Sequence, residues 1–203
     1  MALKFRPVNR ALLRRVHDKV RRCKKERHRP TVALLIEHHE TGQFLLIESK
    51  NGKSKNPGLV KGGIGNQESM LDALYREAEE EVGFTQSQVR IFGYAGSRSV
   101  SSAHTKSGLR KKRYFIVHVV YDGPLELTIN TDELSGYRWC SIAQVQEHIS
   151  ILLASRPEKH AVLTEVFIQL ERTREERRSP PVRTHPKRGG SDRKRKIKKK
   201  VSK

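Results

Sequence analysis

Cysteine is scarce in this chain, which limits the ways in which the fold can be stabilised. Only Cys23 and Cys140 occur in 203 residues, with no CxxC pair and no His/Cys cluster at zinc spacing. Two isolated cysteines favour a reducing compartment and do not build a disulfide framework. The sequence thereby excludes the small disulfide-rich secreted domains and the zinc-finger proteins.

Long apolar runs are also missing. No stretch approaches the roughly 20 apolar residues of a membrane-spanning helix, and the start has no secretory signal sequence. The first thirty residues are rich in Arg, as organelle transit peptides can be, but they lack serine. We therefore expect a cytoplasmic protein with no membrane partner. The alternatives are an organelle, through this N-terminal segment, or the nucleus, through the C-terminal basic run.

Acidic residues are few, and the basic excess lies mainly at the two ends. The chain has 42 Lys and Arg against 22 Asp and Glu, a formal charge of +20. Residues 172–203 carry 15 of the basic residues and three acids, with too little apolar surface to offset the entropy of folding. We predict a basic N-terminal helix or extension at 1–30, a folded domain at 31–171 and a disordered basic tail at 172–203. Such extensions suit non-specific binding to RNA.

Apolar periodicity predicts alternating strands and helices in the middle of the chain. Residues 31–37 and 43–48 form a predicted hairpin, and 114–121 is the strongest strand signal. The polar, Ser-rich segment 97–112 is predicted to be a loop, and 125–129 a further strand. We expect the basic residues just before residue 114 to lie in a loop that faces the substrate.

The most informative stretch is GGIGNQESMLDALYREAEEEVGF, which begins at Gly62. It predicts a glycine-rich turn followed by a helix. At about 100° per residue, Glu77, Glu80 and Glu81 fall within roughly 100° of one another on that helix. Clustered carboxylates repel one another and suit hard divalent cations. A bare ExxEE would more often be a solvated acidic face.

The residues around the three carboxylates favour the functional interpretation. Their spacing matches G-x5-E-x7-R-E-U-x-E-E-x-G-U, where U is a bulky aliphatic or aromatic residue, at every defined position except Ala78. This stretch, called the box below, resembles the signature of the Nudix hydrolases. The resemblance covers about residues 31–171 and implies an α+β fold, with a mixed β-sheet sandwiched between helices (α/β/α). It also implies metal-dependent hydrolysis of a pyrophosphate bond.

The resemblance further implies roles for individual residues. Glu77, Glu80 and Glu81 would be the catalytic metal ligands for Mg²⁺ or Mn²⁺, helped by a backbone carbonyl at or next to Gly62. Arg76 would hold Glu68 and Glu77 in place, and Glu79 would point away. The general base is open: Glu77 is one candidate, Glu133 in DELSGYRW is another, and a loop histidine at position 104 is a third.

Phosphate-rich substrates need cations beyond the metals. The candidate substrate-binding residues are Lys61, Arg110, Lys112 and Arg113, because arginine in particular suits phosphate geometry. The alternative is that these are ordinary solvent-exposed charges.

Short segments resemble two kinds of Nudix enzyme. RKKRYFIVHV resembles hydrolases of diadenosine polyphosphates and diphosphoinositol polyphosphates, while the box with DELSGYRW also resembles RNA 5′-pyrophosphohydrolases. The sequence slightly favours a polyphosphorylated small-molecule substrate, namely a nucleoside diphosphate linked to another moiety or a similar compound. An RNA 5′-pyrophosphohydrolase and a non-catalytic RNA- or ribosome-binding protein are the alternatives. Nothing in the sequence indicates the oligomeric state.

Overall fold

The computed structural model describes residues 8–50, 57–105, 108–155 and 167–168. The predicted C-terminal tail lies outside these residues. The helices are α1 (Arg10–Lys25), α2 (Met70–Val82) and α3 (Ile142–Ser155). The strands are β1 (Arg29–His38), β2 (Phe44–Ser49), β3 (Val60–Gly63), β4 (Val89–Thr105), β5 (Gly108–Tyr121) and β6 (Leu134–Cys140).

The strands form one mixed sheet in the order β4-β5-β1-β2-β6, and β3 pairs with β1 beside this path. β1 and β5 are parallel, and the other pairs are antiparallel. β1 pairs with β3 in its first half, where Thr31 lies opposite Gly63, and with β2 near its end, where Glu37 lies opposite Phe44. This change of neighbour places the glycine-rich turn at the start of the central strand.

Helices cover both faces of the sheet, because both faces of the central strands are apolar. Val32 and Leu34 of β1 pack in a core with α1 and α2. Ala33 and Leu35 point to the opposite face and pack in a second core with Val145 of α3. The predicted α+β fold with a sheet between helices is confirmed.

α1 follows the amphipathic pattern of its sequence. Asn9 caps the helix by accepting a hydrogen bond from the Leu12 N–H at 2.9 Å. Val16 and Val20 are buried against the domain. Among the residues that the structure describes, no helix combines the length and the apolar character needed to cross a bilayer.

Two predictions of local structure were wrong. Most of segment 97–112 belongs to the antiparallel pair of β4 and β5, with Ser99 opposite Arg113. Segment 125–129 is not a strand, because its backbone bonds to side chains of β6: the Tyr137 hydroxyl accepts from the Leu127 N–H at 3.0 Å. Trp139 Nε1 also donates to the Leu125 carbonyl at 2.8 Å.

Replacing Gly83, which ends α2, is expected to destabilise the fold. Gly83 has φ +69°, and a Cβ atom there would lie 2.8 Å from the Thr128 carbonyl oxygen. Gly83→Ala should lower the free energy of unfolding by at least about 1–2 kcal/mol, measured by urea denaturation. The control is Gly136→Ala, where the nearest atom, an oxygen of Glu48, lies 3.6 Å from the new Cβ. Equal stability of the two variants would contradict the prediction.

Candidate active site

The carboxylates of the box lie on α2, whose start is firmly defined. Ser69 caps the helix and forms a reciprocal capping box with Asp72. Two of the predicted metal ligands, Glu77 and Glu81, are each only 8% exposed, on the side of the helix that meets β3. Burying carboxylates is costly unless they are paired or bind a cation, which makes Glu77 and Glu81 candidate cation ligands.

Arg76 is the central cation of this group. Its Nε lies 2.7 Å from Glu68 Oε1, and its Nη1 lies 2.6 Å from Glu77 Oε1 and 2.9 Å from Glu80 Oε2. Its Nη2 donates to the Gly63 carbonyl at 2.9 Å. The hydrogen bond from Arg76 lowers the pKa of Glu68, and the surrounding acids raise the pKa of Arg76. Arg76 therefore ties the glycine-rich turn to α2 and orients the carboxylates, as the sequence predicts.

Arg76→Lys is expected to loosen this arrangement, because an ammonium group cannot reproduce the fork of the guanidinium. We expect a 10- to 100-fold rise in the Mn²⁺ concentration needed for half-maximal activity, a typical effect of losing a group that orients metal ligands. A metal titration of the initial rate measures it. Arg90→Lys, an exposed change in β4, is the control and should leave the titration unchanged. Coincident titrations would argue against this role for Arg76.

Glu77 lies directly against the backbone of β3. A Cβ atom added at Gly62 would fall 1.7 Å from Glu77 Cδ. Glycine is therefore required at this position so that the carboxylate can reach the strand. Burial raises the pKa of Glu77, and the hydrogen bond from Arg76 opposes that rise.

Glu81 is the most perturbed acid of the group. Burial raises its pKa to about 7, while Lys61 acts in the opposite direction. The Lys61 backbone N–H donates to Glu81 Oε2 at 3.3 Å. The charges of Glu77 and Glu133 raise the pKa of Glu81 further, which places Glu133 within electrostatic reach of the buried carboxylates. Glu133 itself is exposed.

These donors fit a hard divalent cation. Carboxylate oxygens of Glu77, Glu80 and Glu81 are the ligand type that Mg²⁺ and Mn²⁺ prefer. Among the described residues, no three acidic, His or Cys side chains form a ready ligand cluster. Arg76 and the Lys61 N–H each donate to carboxylate oxygens of this group. A cation would relieve the mutual repulsion of the buried acids. The Gly63 carbonyl accepts from Arg76 Nη2, and Gly62 lies opposite Val32 in the ladder of β1 and β3, so a carbonyl ligand at Gly62 stays a prediction.

The predicted substrate-binding residues are only partly brought together. Lys61 lies at the site, where its charge acts on Glu81. Arg110, Lys112 and Arg113 belong to β5 and not to a loop before it, so their predicted placement was wrong. Arg113 lies near Cys23 of α1, since its charge lowers the pKa of that thiol against the dominant effect of burial. Substrate binding by these three residues stays a prediction.

Arg29 is a cation that sequence reasoning missed. A Cβ atom at Gly63 would lie 3.2 Å from Arg29 Nη2, so the guanidinium covers that part of the glycine-rich turn. Burial raises the pKa of Tyr114, and the Arg29 charge acts against that rise. Arg29 reaches the turn because the start of β1 pairs with the end of β3.

The sequence and the fold are both similar to those of known proteins. The family model of the NUDIX domain matches residues 27–165. The RNA pyrophosphohydrolase of Mannheimia succiniciproducens is 33% identical over an alignment of 129 residues, which covers 56% of this chain and 62% of that protein. The chain thus spans less than two thirds of that relative's length.

Two solved structures share the fold at low sequence identity. The C. elegans Ap4A hydrolase binary complex has a TM-score of 0.52 and 19% identity, covering 70% of this chain and 98% of that one. The E. coli dihydroneopterin triphosphate pyrophosphohydrolase has a TM-score of 0.52 and 13% identity, covering 61% and 86%. Since the family model matches well over half of the sequence, and its region includes the box, the chain belongs to the NUDIX domain family.

Proposed function

We propose that this protein is a Nudix pyrophosphohydrolase that cleaves a phosphoanhydride bond with Mg²⁺ or Mn²⁺. The observation that carries the proposal is the buried pair Glu77 and Glu81, held against β3 beside Gly62. Burying these acids raises their pKa values and costs folding stability. A bound cation next to the glycine-lined backbone would offset that cost. A bound divalent ion would neutralise the charge that develops on the anhydride oxygens.

The protein's own residues would orient the ligands, bind phosphate and accept a proton. Arg76 holds Glu77 and Glu80 in position, and Lys61 adds positive charge beside Glu81. In the reaction, a water oxygen forms a bond to phosphorus while the bond to the bridging oxygen breaks. Glu133 is our candidate for the group that takes the water proton. Its side chain is exposed to solvent, and its charge acts on the buried carboxylate of Glu81.

For the substrate we propose the 5′-triphosphate end of RNA first. The support is the sequence similarity to the RNA pyrophosphohydrolase of Mannheimia succiniciproducens, together with the basic character of the chain. A diadenosine or diphosphoinositol polyphosphate is the second candidate, favoured by the segment RKKRYFIVHV. The third interpretation, a non-catalytic RNA-binding protein, is disfavoured because Glu77 and Glu81 are buried together on α2, and Arg76 pairs with Glu77 and Glu80.

A hydrolysis panel with the full chain tests the proposal. The substrates are triphosphorylated RNA, diadenosine tetraphosphate, inositol pyrophosphate, ADP-ribose, a nucleotide sugar and a nucleoside triphosphate, each with Mg²⁺ and with Mn²⁺. We expect turnover of at least one phosphoanhydride, highest for triphosphorylated RNA, and loss of turnover when EDTA exceeds the metal. Adding metal back should restore the rate. A protein inert towards the whole panel, or one unaffected by EDTA, would refute the proposal.

A further inference from the structure

Helix α1 is strongly basic on its exposed side. Of its 16 residues, eight are Lys or Arg, and Asp18 is its one acid. The match to the NUDIX family begins at residue 27, so α1 lies outside the region that this chain shares with the family. The part of the chain that matches the family therefore does not account for the charge of this helix.

α1 is nevertheless fixed to the domain. Val16 and Val20 are each 2% exposed and Cys23 is 0% exposed, so one side of the helix is part of the core. Among the described residues, no acidic group lies within 4.0 Å of the cationic groups of Arg14, Arg15, Lys19, Arg21, Arg22 and Lys25. Closely spaced like charges on a helix destabilise it. A polyanionic partner would offset that cost.

One edge of α1 adjoins the box. Lys24 Nζ donates to the Gly65 carbonyl at 2.5 Å and to the Asn66 carbonyl at 3.1 Å, in the turn between β3 and α2. A cleft of about 410 Å³ separates this side of α1 from the start of α2, and Arg14 and Met70 are among its lining residues. A chain that leaves the active site along this edge would meet the basic side chains of α1.

Beyond Arg10 at the start of α1, six exposed cations of the helix form two ridges. At about 100° per residue, Arg14, Arg21 and Lys25 lie within roughly 40° of one another, on the side of Lys24 and the cleft. We call them the loop-side ridge. The far ridge consists of Arg15, Lys19 and Arg22, which lie more than about 100° round the helix from Lys24. The two ridges carry equal charge, and they differ in their distance from the box.

We propose that the loop-side ridge binds the phosphate backbone of an RNA substrate while its 5′ end occupies the box. This inference rests on the proposed function for the identity of the substrate. Regularly spaced phosphates match cations that repeat along a helix about 24 Å long. A lipid surface fits less well, because an interfacial helix needs a free apolar face. The apolar face of α1 is buried in the domain.

Two triple variants of the full chain test the proposal. R14Q/R21Q/K25Q removes the loop-side ridge, and R15Q/K19Q/R22Q is the control with the same loss of charge and similar helix propensity. Binding of a triphosphorylated RNA of about 20 nucleotides is measured over a range of salt concentrations without divalent metal. Three lost phosphate contacts should reduce the slope of log Kd against log salt by about 2. At 0.1 M salt the loop-side variant should bind at least about tenfold more weakly, and the control should stay close to the parent chain.

Kinetics add a second readout. The loop-side variant should show a raised KM for triphosphorylated RNA with kcat unchanged, and unaltered hydrolysis of diadenosine tetraphosphate. Circular dichroism and thermal unfolding must show both variants folded; if the triple change unfolds the helix, the single variants R21Q and R22Q replace the pair. The proposal is wrong if both variants weaken RNA binding equally or if neither weakens it. It is also wrong if the loop-side variant loses binding only to anionic vesicles and not to RNA. If the parent chain hydrolyses no substrate of the panel but the loop-side variant alone loses RNA binding, the proposed function is wrong and the RNA-binding surface is still supported.

Discussion

Glu81→Gln is expected to lower kcat/KM at least about a hundredfold, because it removes an ionised oxygen from the proposed metal ligands. The fold should survive the change. The amide oxygen can still accept from the Lys61 N–H, which now donates to Glu81 Oε2 at 3.3 Å. The variant also removes a carboxylate whose burial raises its pKa to about 7. Without metal, its melting temperature should therefore equal or exceed that of the parent chain.

Glu79→Gln is the matched control for this experiment. Glu79 lies on the same helix two residues earlier and is exposed. Both variants replace one carboxylate of α2 with an amide, so a general effect of that replacement on the helix would appear in both. Metal-dependent turnover is measured for each with the best substrate of the panel. If Glu81→Gln keeps its rate, or if both variants lose activity equally, the assignment of Glu81 is wrong.

Gly62→Ala is expected to reduce activity strongly by a steric route. The added Cβ would lie 1.7 Å from Glu77 Oε1 and 1.9 Å from Oε2, so the carboxylate must leave its place against β3. Arg76 Nη1, 2.6 Å from Glu77 Oε1, must move or lose that partner. A displaced ligand costs far more activity than stability. We expect kcat/KM to fall at least about a hundredfold while the fold is retained.

Gly58→Ala tests whether the effect belongs to this contact. Gly58 precedes β3, and the nearest atom to its added Cβ is Lys61 Nζ at 3.9 Å, which is ordinary contact distance. This control should keep near-normal turnover. Activity assays are paired with thermal unfolding of both variants. A fully active Gly62→Ala protein would mean that the Glu77 carboxylate need not touch this strand during catalysis.

The box could be predicted from the sequence because its information is local. Helix periodicity places Glu77 and Glu81 on one side of α2 whatever surrounds the helix. Gly83 marks the end of the helix because its left-handed backbone suits glycine, and the observed φ is +69°. The match to the family pattern then linked these residues to a known chemistry.

The hairpin of β4 and β5 could not be predicted in the same way. The segment 97–112 is rich in Ser and basic residues, with no apolar alternation to indicate a strand. Its strand structure depends on the pairing of the two long strands, as at Ser99 and Arg113.

The segment 125–129 shows the opposite case. Its apolar residues favoured a strand, but contacts to Tyr137 and Trp139 leave the backbone irregular.

The amino-acid order was sufficient to identify three carboxylates on one helix, the glycine-rich turn before them and the family to which they belong. Their burial, their partners and the cations around them depended on the folded chain. Arg29 reaches Gly63 because β1 and β3 pair, and Lys24 reaches Gly65 because α1 packs beside the turn. Such contacts join residues 34 and 41 positions apart. Periodicity reports neighbours within one element, whereas desolvation and charge coupling depend on which elements meet in three dimensions.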